Sequence, residues 1–400
     1  MKYAVIIPDG AADYKCEGLG GKTPLDVAKK PCLDSLASRA LCGTVSNVPS
    51  DMVPESDTAN LAILSYDPKI YSKGRSPLEA VSMGIEMKPD ETAFRCNVVT
   101  LDGDPAGGYD NLRLIDHSAD EISTPEAAEL IKAVEAELGR DGLTFYPGVS
   151  YRHCLIWRDA PDFRNFSRPH DIIGQCIADK LPPEPFVSMY RRSYEILKDH
   201  PVNLARIGRG LKPANSIWLW SPGKKPALPD FKEKWCVSGS VISAVDLLKG
   251  IGLCAGMTPV NVEGATGNIH TNFEGKAQAA IDEFKRGQDF VYIHVEAPDE
   301  CGHRAELENK VRSIELIDEK VICPIYEYLR STGEDFKILV LPDHPTPICR
   351  RTHTGEPVPF MLYSSADERE GVTCFNEDNC EAAGFYVEHG YTLLSHMIEK

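Results

Sequence analysis

Three times in this chain a short apolar run stops at a helix- and strand-breaking residue and is followed at once by an aspartate, or by aspartate and histidine together. The fullest case is KILVLPDHPTPICRRTHTGEPVPF, residues 337–360. Ile338 to Leu341 reads as a buried parallel strand, Pro342 ends it, Asp343 and His344 follow side by side, and His353 comes nine residues after His344. In the second, FVYIHV (290–295) reads as a strand and EAPDECGH after it as a loop carrying Asp299 and His303. In the third, YAVII (3–7) runs into Pro8, Asp9 and Gly10. Strands that each deliver acids or imidazoles at their carboxyl ends are the pattern of an α/β sheet that builds a site along that edge. The expected fold is therefore a doubly wound, mostly parallel sheet with helices on both faces.

A hydroxyl belongs with this set. In VPESDTANLAILSYD, Ser56 precedes a helical run expected over 57–64, so its side chain and the free N–H groups of the first turn face the same place. A serine ahead of a helix is ordinarily an N-cap. Here it stands with Asp9, Asp299, His303, Asp343, His344 and His353, seven oxygen and nitrogen donors without a thiol. Such donors suit two divalent ions of the Mn or Zn kind better than Ca, which takes oxygens only, or a structural Zn, which usually takes Cys. His294, on the strand itself, reads as a packed or supporting histidine rather than a ligand, and His270 is left out of the set.

These segments resemble a known family. PDG at Asp9, SDTAN at Ser56, EAPDECGH, DHPTP and RTHTGEPVPF match in order the metal and nucleophile motifs of the cofactor-independent phosphoglycerate mutases, in their archaeal-type branch of the alkaline phosphatase superfamily. GRSPLEAVSMGI, AFRCN, DHSADEIST, NLARIGRGLKPANSIWLW, VISAVDLLKGIG and GATGNIHTN extend the match over nearly the whole chain. The resemblance implies an alkaline phosphatase-like α/β domain with an inserted α+β cap. It implies an isomerase exchanging 3- and 2-phosphoglycerate without bisphosphoglycerate, with Ser56 as phosphoryl carrier and two divalent ions, Mn before Mg, Zn or Co. By the family pattern Asp9, Ser56, Asp343 and His344 hold one ion, and Asp299, His303 and His353 the other. Closure of the cap would exclude water, so that transfer outruns hydrolysis. His153, His170 and Asp171 match segments facing the cleft in that family. The same resemblance admits a homoserine kinase, although no GxxxxGK[ST] loop is present. It also admits a metal-dependent phosphatase or phosphopentomutase. A catalytically silent metal-binding protein would have lost ligands, and all seven are there.

Composition narrows the partners. With 60 Asp and Glu against 43 Lys and Arg, a formal charge of -17 disfavours nucleic acid and anionic membranes, so a phosphate must be met by a local cationic pocket. No apolar run approaches eighteen residues and Met1-Lys2 leads straight into a strand, from which a cytoplasmic protein is expected. Thirteen scattered Cys without a CxxC point to reduced thiols.

The chain of 400 residues is expected to form two domains: 1–88 with 215–400 as the metal-binding domain, and 89–214 as an inserted substrate-binding cap. Within them, one helix is expected over 25–40, a strand over 93–101, a capping box at Ser123–Glu126 ahead of a helix to Leu138, a strand over 216–220, a helix over 241–249 and a long helix over 306–329. Planar, bidentate arginine fits both the phosphate and the carboxylate of such a substrate. Arg206 and Arg209, three apart and so on one helix face, are the leading candidates, with Arg152 and Arg75 after them.

Overall fold

The structure, a computed structural model, describes residues 1–103 and 107–398. It separates into two units, Met1–Ser72 with Ala227–Lys400, and Lys73–Pro226. Strands are numbered in chain order: β1 Lys2–Pro8, β2 Leu41–Val45, β3 Glu91–Asp102, β4 Arg113–Asp116, β5 Leu143–Tyr146, β6 Arg152–Arg158, β7 Ser216–Lys224, β8 Gly239–Ile242, β9 Thr258–Val260, β10 Phe290–Val295, β11 Phe336–Val340, β12 Val358–Ser364 and β13 Tyr386–Val387.

The first unit holds an eight-stranded sheet in the order β13-β2-β12-β11-β1-β10-β8-β9. Its central strands β11, β1, β10 and β8 are mutually parallel, and β12 is the antiparallel member. Their sequences are continuous apolar runs because helices cover both faces; every residue from Ala4 to Ile7 is fully buried, each large side chain contributing roughly 1.5–3 kcal/mol. The register sets Ile7 beside His294 and Ile6 beside Val340. Parallel strands that end level deliver Asp9, the 297–304 segment and Asp343 to one edge.

Several local expectations change. The single helix over 25–40 is two, Pro24–Val27 and Pro31–Ala37, because Pro31 lacks the N–H to continue the first and starts the second. EAPDECGH is no loop but a helix, Ala297–Arg304, in which Asp299 and His303 stand one turn apart on the same face. Val241 and Ile242 belong to buried strand β8, and the helix begins later, at Asp246. The long helix is continuous over 307–332 with a π turn at Asp318–Ile322.

The second unit carries a five-stranded antiparallel sheet, β4-β3-β6-β5 with β7 also on β3. Residues 216–220, read as a return to the parallel sheet, pair instead with β3, from Ser216 opposite Val99 to Trp220 opposite Arg95. The helix Ser76–Ser82 packs on the same strands, so 73–88 and 215–226 fall in this unit rather than in the first, where the sequence had put them. The helix Thr124–Leu138 forms as expected, but its capping box does not: Ser123 Oγ donates to the Glu126 carboxylate (2.8 Å) instead of capping the backbone.

Candidate active site

The donors of the first unit come from strand ends, from the helices Ser56–Ile63 and Ala297–Arg304 and, for His353, from the irregular segment between β11 and β12. Asp9 follows β1 and is 2% exposed. Gly10 after it has φ +62°, and a Cβ there would lie 2.6 Å from Thr346 Oγ1 and 2.7 Å from Asp299 Cα, so only glycine permits this approach. Asp343 follows β11; its Oδ1 accepts from the Gly10 N–H (3.2 Å) and the His344 N–H (2.9 Å), and its Oδ2 from Asn60 Nδ2 (2.9 Å). Ser56 is the first residue of the helix Ser56–Ile63, and its hydroxyl lies 3.3 Å from His344 Nε2. The same Nε2 is 3.4 Å from Asp343 Oδ2 and 3.8 Å from Asp9 Oδ1. Glu55 is the N-cap residue, and no side chain caps this helix end.

The other three donors meet beside them. Asp299 lies 3.3 Å from both His303 Nε2 and His353 Nε2, and those two nitrogens face one another at 2.9 Å. The His353 ring stacks on that of His344, with centroids 3.9 Å apart. All seven residues expected from the sequence are thus brought together. Asp299 with His344 and His353, and Asp9 with His294 and Asp343, each bring three ligand atoms within 4.8 Å of one another. His344 therefore stands between the two ion sets implied by the resemblance, and His294, read as a supporting residue, touches Asp9 at 3.0 Å.

The protonation chemistry fits cations. His303 Nδ1 contacts the Arg351 carbonyl and His353 Nδ1 the Pro54 carbonyl, both at 3.0 Å. A carbonyl only accepts, so each Nδ1 carries the proton and, in the neutral ring, each Nε2 offers a lone pair to the same point. Two lone pairs 2.9 Å apart need a cation or an extra proton between them. Without metal the proton is what the site takes: the bond to Asp299 raises His303 to about 9, and His353 is also raised by Asp299 against the effect of burial. Burial, then the neighbouring Asp343 and Asp299, push Asp9 well above the usual carboxylate range. Burial opposes ionisation of Asp299, yet its bonds to His303 and His353 hold it well below that range. Asp9 Oδ1 is buried without a hydrogen-bond partner. Three buried carboxylates, an orphaned oxygen and converging imidazole lone pairs match divalent ions.

The arginines selected from spacing fare differently. Arg206 is 2% exposed, with its Nε on the Lys212 carbonyl (3.0 Å), Nη1 on Glu126 (2.8 Å) and Nη2 on the Ala119 carbonyl (2.6 Å). Arg209 reaches the other oxygen of Glu126. The shared helix face does exist, but Glu126, freed from its capping box, occupies it. Arg206→Met is accordingly expected to lower stability by about 2–4 kcal/mol through the lost ion pair and orphaned carbonyls, with KM per folded molecule unchanged. Thermal unfolding beside steady-state kinetics checks this; a raised KM at unchanged stability would restore the substrate role. His153 is also a packed residue: it is buried with Nδ1 accepting the Gly148 N–H (3.0 Å), and burial pushes it down to about 3. Arg75, half-buried, has an unpartnered Nε at the start of the helix Ser76–Ser82.

A cationic, aromatic cluster does occur in the second unit, around residues that spacing did not select. Arg95 and Asn97 lie two apart on one face of β3, with Trp220 opposite Arg95 and Arg152 opposite Asn97. The Arg95 guanidinium sits 4.5 Å over the Trp220 ring and pairs with Glu79 (2.7 Å). His170 meets Trp220 edge-on at 5.4 Å and His117 at 6.2 Å, with Asp171 3.6 Å from its Nε2. Asn97 links the indole of Trp220 (3.0 Å) to the His117 carbonyl (3.1 Å). Period-two alternation within AFRCN was the available signal for Arg95 and Asn97.

Comparison with known proteins gives a consistent result. A profile of the 2,3-bisphosphoglycerate-independent phosphoglycerate mutases matches residues 37–203. The 2,3-bisphosphoglycerate-independent phosphoglycerate mutase of Methanosarcina acetivorans is 46% identical over 405 residues, covering all of both chains. Among solved structures, a cofactor-independent phosphoglycerate mutase from Thermoplasma acidophilum is 27% identical with a TM-score of 0.69, covering 100% of this chain and 99% of that one. A protein from Pyrococcus horikoshii, also 27% identical, superposes with a TM-score of 0.81 over 100% of this chain and 96% of its own.

Proposed function

The chain belongs to the 2,3-bisphosphoglycerate-independent phosphoglycerate mutases, and on that premise we propose that it exchanges 3- and 2-phosphoglycerate through a phosphoserine on Ser56. The observation that carries this reading is the Ser56 hydroxyl 3.3 Å from His344 Nε2, inside a set of six further oxygen and nitrogen donors. Asp9, Asp343 and His344 with Ser56, and Asp299, His303 and His353, are the residues proposed to hold two divalent ions, Mn before Mg, Zn or Co. When bound, such ions lower the pKa of a coordinated hydroxyl and draw charge from phosphoryl oxygens.

The chain's own groups do the rest. Ser56 Oγ bonds to phosphorus as the bond to the glycerate oxygen breaks, and the hydroxyl proton passes in exchange to that oxygen. Glycerate then offers its other hydroxyl, the serine–phosphate bond breaks, and Ser56 regains its proton. The N–H groups of the first turn of Ser56–Ile63 lack intrahelical acceptors and favour the phosphoryl dianion at this position. Arg95 and Arg152 have the charge and planarity to take a small phosphorylated carboxylic acid, with His117 and His170 beside them as hydrogen-bonding groups, and these four replace Arg206 and Arg209 as substrate-binding candidates. Among the described residues no helix is long and apolar enough to cross a membrane, and all thirteen cysteines are free. Those features support a cytoplasmic place for the enzyme.

The test is to incubate Mn-loaded protein with 3-phosphoglycerate in the absence of bisphosphoglycerate, reading 2-phosphoglycerate and free phosphate in parallel. The expected result is 2-phosphoglycerate with little phosphate. Release of phosphate alone would assign a phosphatase instead.

A further inference from the structure

Residues alternate along a strand, so Tyr292 and His294 share one face of β10, and both are fully buried. Neither is among the seven donors, yet His294 lies against one of the carboxylates and Tyr292 is linked to another through Asn60. Tyr292 donates its hydroxyl to Asn60 Oδ1. With that oxygen occupied, the Asn60 amide nitrogen must point the other way, and it donates to Asp343 Oδ2 (2.9 Å) and the Ser56 carbonyl (2.8 Å). One phenol thereby fixes an amide that touches both Asp343 and the backbone of Ser56.

His294 stands against Asp9. Its Nδ1 lies 3.4 Å from Ser243 Oγ, which already accepts the Val245 N–H (3.0 Å). The serine's own proton has no other acceptor among the described residues, so Nδ1 accepts it and Nε2 carries the ring proton. Nε2 stands 3.0 Å from Asp9 Oδ2 but off the line of a hydrogen bond, and it makes no hydrogen bond to any polar atom among the described residues. The other oxygen, Asp9 Oδ1, is the buried one without a partner, and it is the one 3.8 Å from His344 Nε2. Lys276 Nζ, also fully buried, donates to the His294 carbonyl (2.8 Å) and pins the strand end from below.

We propose that Tyr292 and His294 are positioning residues for one of the two cations: Tyr292, through Asn60, fixes the rotamer of Asp343, and His294, with Nε2 packed 3.0 Å from Asp9 Oδ2, confines that carboxylate so that Oδ1 is the oxygen left to the ion. The inference rests on the two-ion reading above. A carboxylate with one oxygen tethered, as Asp343 Oδ2 is by Asn60, or confined, as Asp9 Oδ2 is by His294, presents the other in a fixed direction, and the loss of such a support typically costs about 10–100-fold in metal affinity.

The experiment measures Mn2+ stoichiometry and affinity of the full chain, stripped of metal and titrated calorimetrically, for wild type, His294→Leu, His294→Gln and Tyr292→Phe. Glutamine places an N–H near the position of Nε2, whereas leucine removes it. Wild type is expected to bind two ions. His294→Leu and Tyr292→Phe are expected to weaken one of them by about 10–100-fold and leave the other unchanged, which also reports that the fold is intact. His294→Gln is expected to recover most of the loss. If His294→Leu proves unfolded, His294→Gln and Tyr292→Phe decide the matter. Wild-type affinity at both ions in Tyr292→Phe and in a folded His294→Leu would overturn the proposal, as would a His294→Gln no better than leucine. A wild-type protein that binds no Mn2+ overturns the two-ion reading itself, a distinct result.

Discussion

Ser56→Ala is expected to give a folded protein with turnover lowered by at least about four orders of magnitude, the scale on which a covalent nucleophile is lost. The geometry separates this from a stability effect. Ser56 Oγ caps no backbone N–H of its helix, and its hydrogen-bond contact is His344 Nε2 at 3.3 Å. Its removal should therefore cost less than about 1 kcal/mol, against the typical ~1 kcal/mol of a serine that does cap a helix. Unfolding midpoint and initial rate on 3-phosphoglycerate, measured on one preparation, check both halves. A large fall in midpoint with proportionate residual activity would return Ser56 to a structural role. Phosphate trapped on the wild-type chain after acid quench, and absent from the alanine variant, would be the direct sign of the intermediate.

Removal of divalent ions is expected to abolish turnover and also to make stability depend on pH in a particular direction. In the metal-free chain the bond to Asp299 raises His303 to about 9, against about 6.5 when unfolded. A group whose folded pKa is raised contributes stability fully below its unfolded value and loses it as pH rises through the folded value. The stripped protein should therefore lose stability between pH about 6.5 and about 9, and the buried Asp9, also raised, acts in the same sense from its own unfolded value upward. Mn2+ replaces the proton between His303 and His353 and should flatten that slope. At a free ion concentration about a thousand times Kd, linkage contributes about 4 kcal/mol, which for a domain of roughly 250 residues is about 10 °C in Tm. Unfolding scans of stripped and loaded protein at both ends of this range test the prediction. A stripped protein that grows more stable toward high pH would show that the imidazoles take no proton from the site.

How much of this was legible beforehand follows the range of the interactions. Apolar runs that end at Pro8 or Pro342 are local facts, and they carried the parallel sheet and the placement of Asp9 and Asp343 at strand ends. The seven donors could be selected because each follows the end of an apolar run by no more than about a dozen residues. Errors arose where a local pattern had two outcomes. EAPDECGH contains Pro and Gly and read as a loop, yet Pro298 lies in the first turn of a helix and Gly302 packs under Thr346, where a Cβ would meet the Thr346 carbonyl oxygen at 2.5 Å. Residues 216–220 make a strand in either sheet, and only the pairing with β3 assigns them to the second.

What the sequence by itself determined is the inventory: which residues can bind a cation or carry a phosphoryl group, and that strand ends would present them. Tertiary structure alone decided which of them meet and in what state. Gly10 and Asp343 are 333 positions apart when they hydrogen-bond, and Tyr292 reaches Asn60 across 232. Arg206 carries the same guanidinium whether it faces a substrate or Glu126, and the difference lies in a contact 80 residues away. Propensity and periodicity act over a few residues, whereas the partner of a buried polar group is chosen by packing, where leaving it unpaired costs about 1–3 kcal/mol.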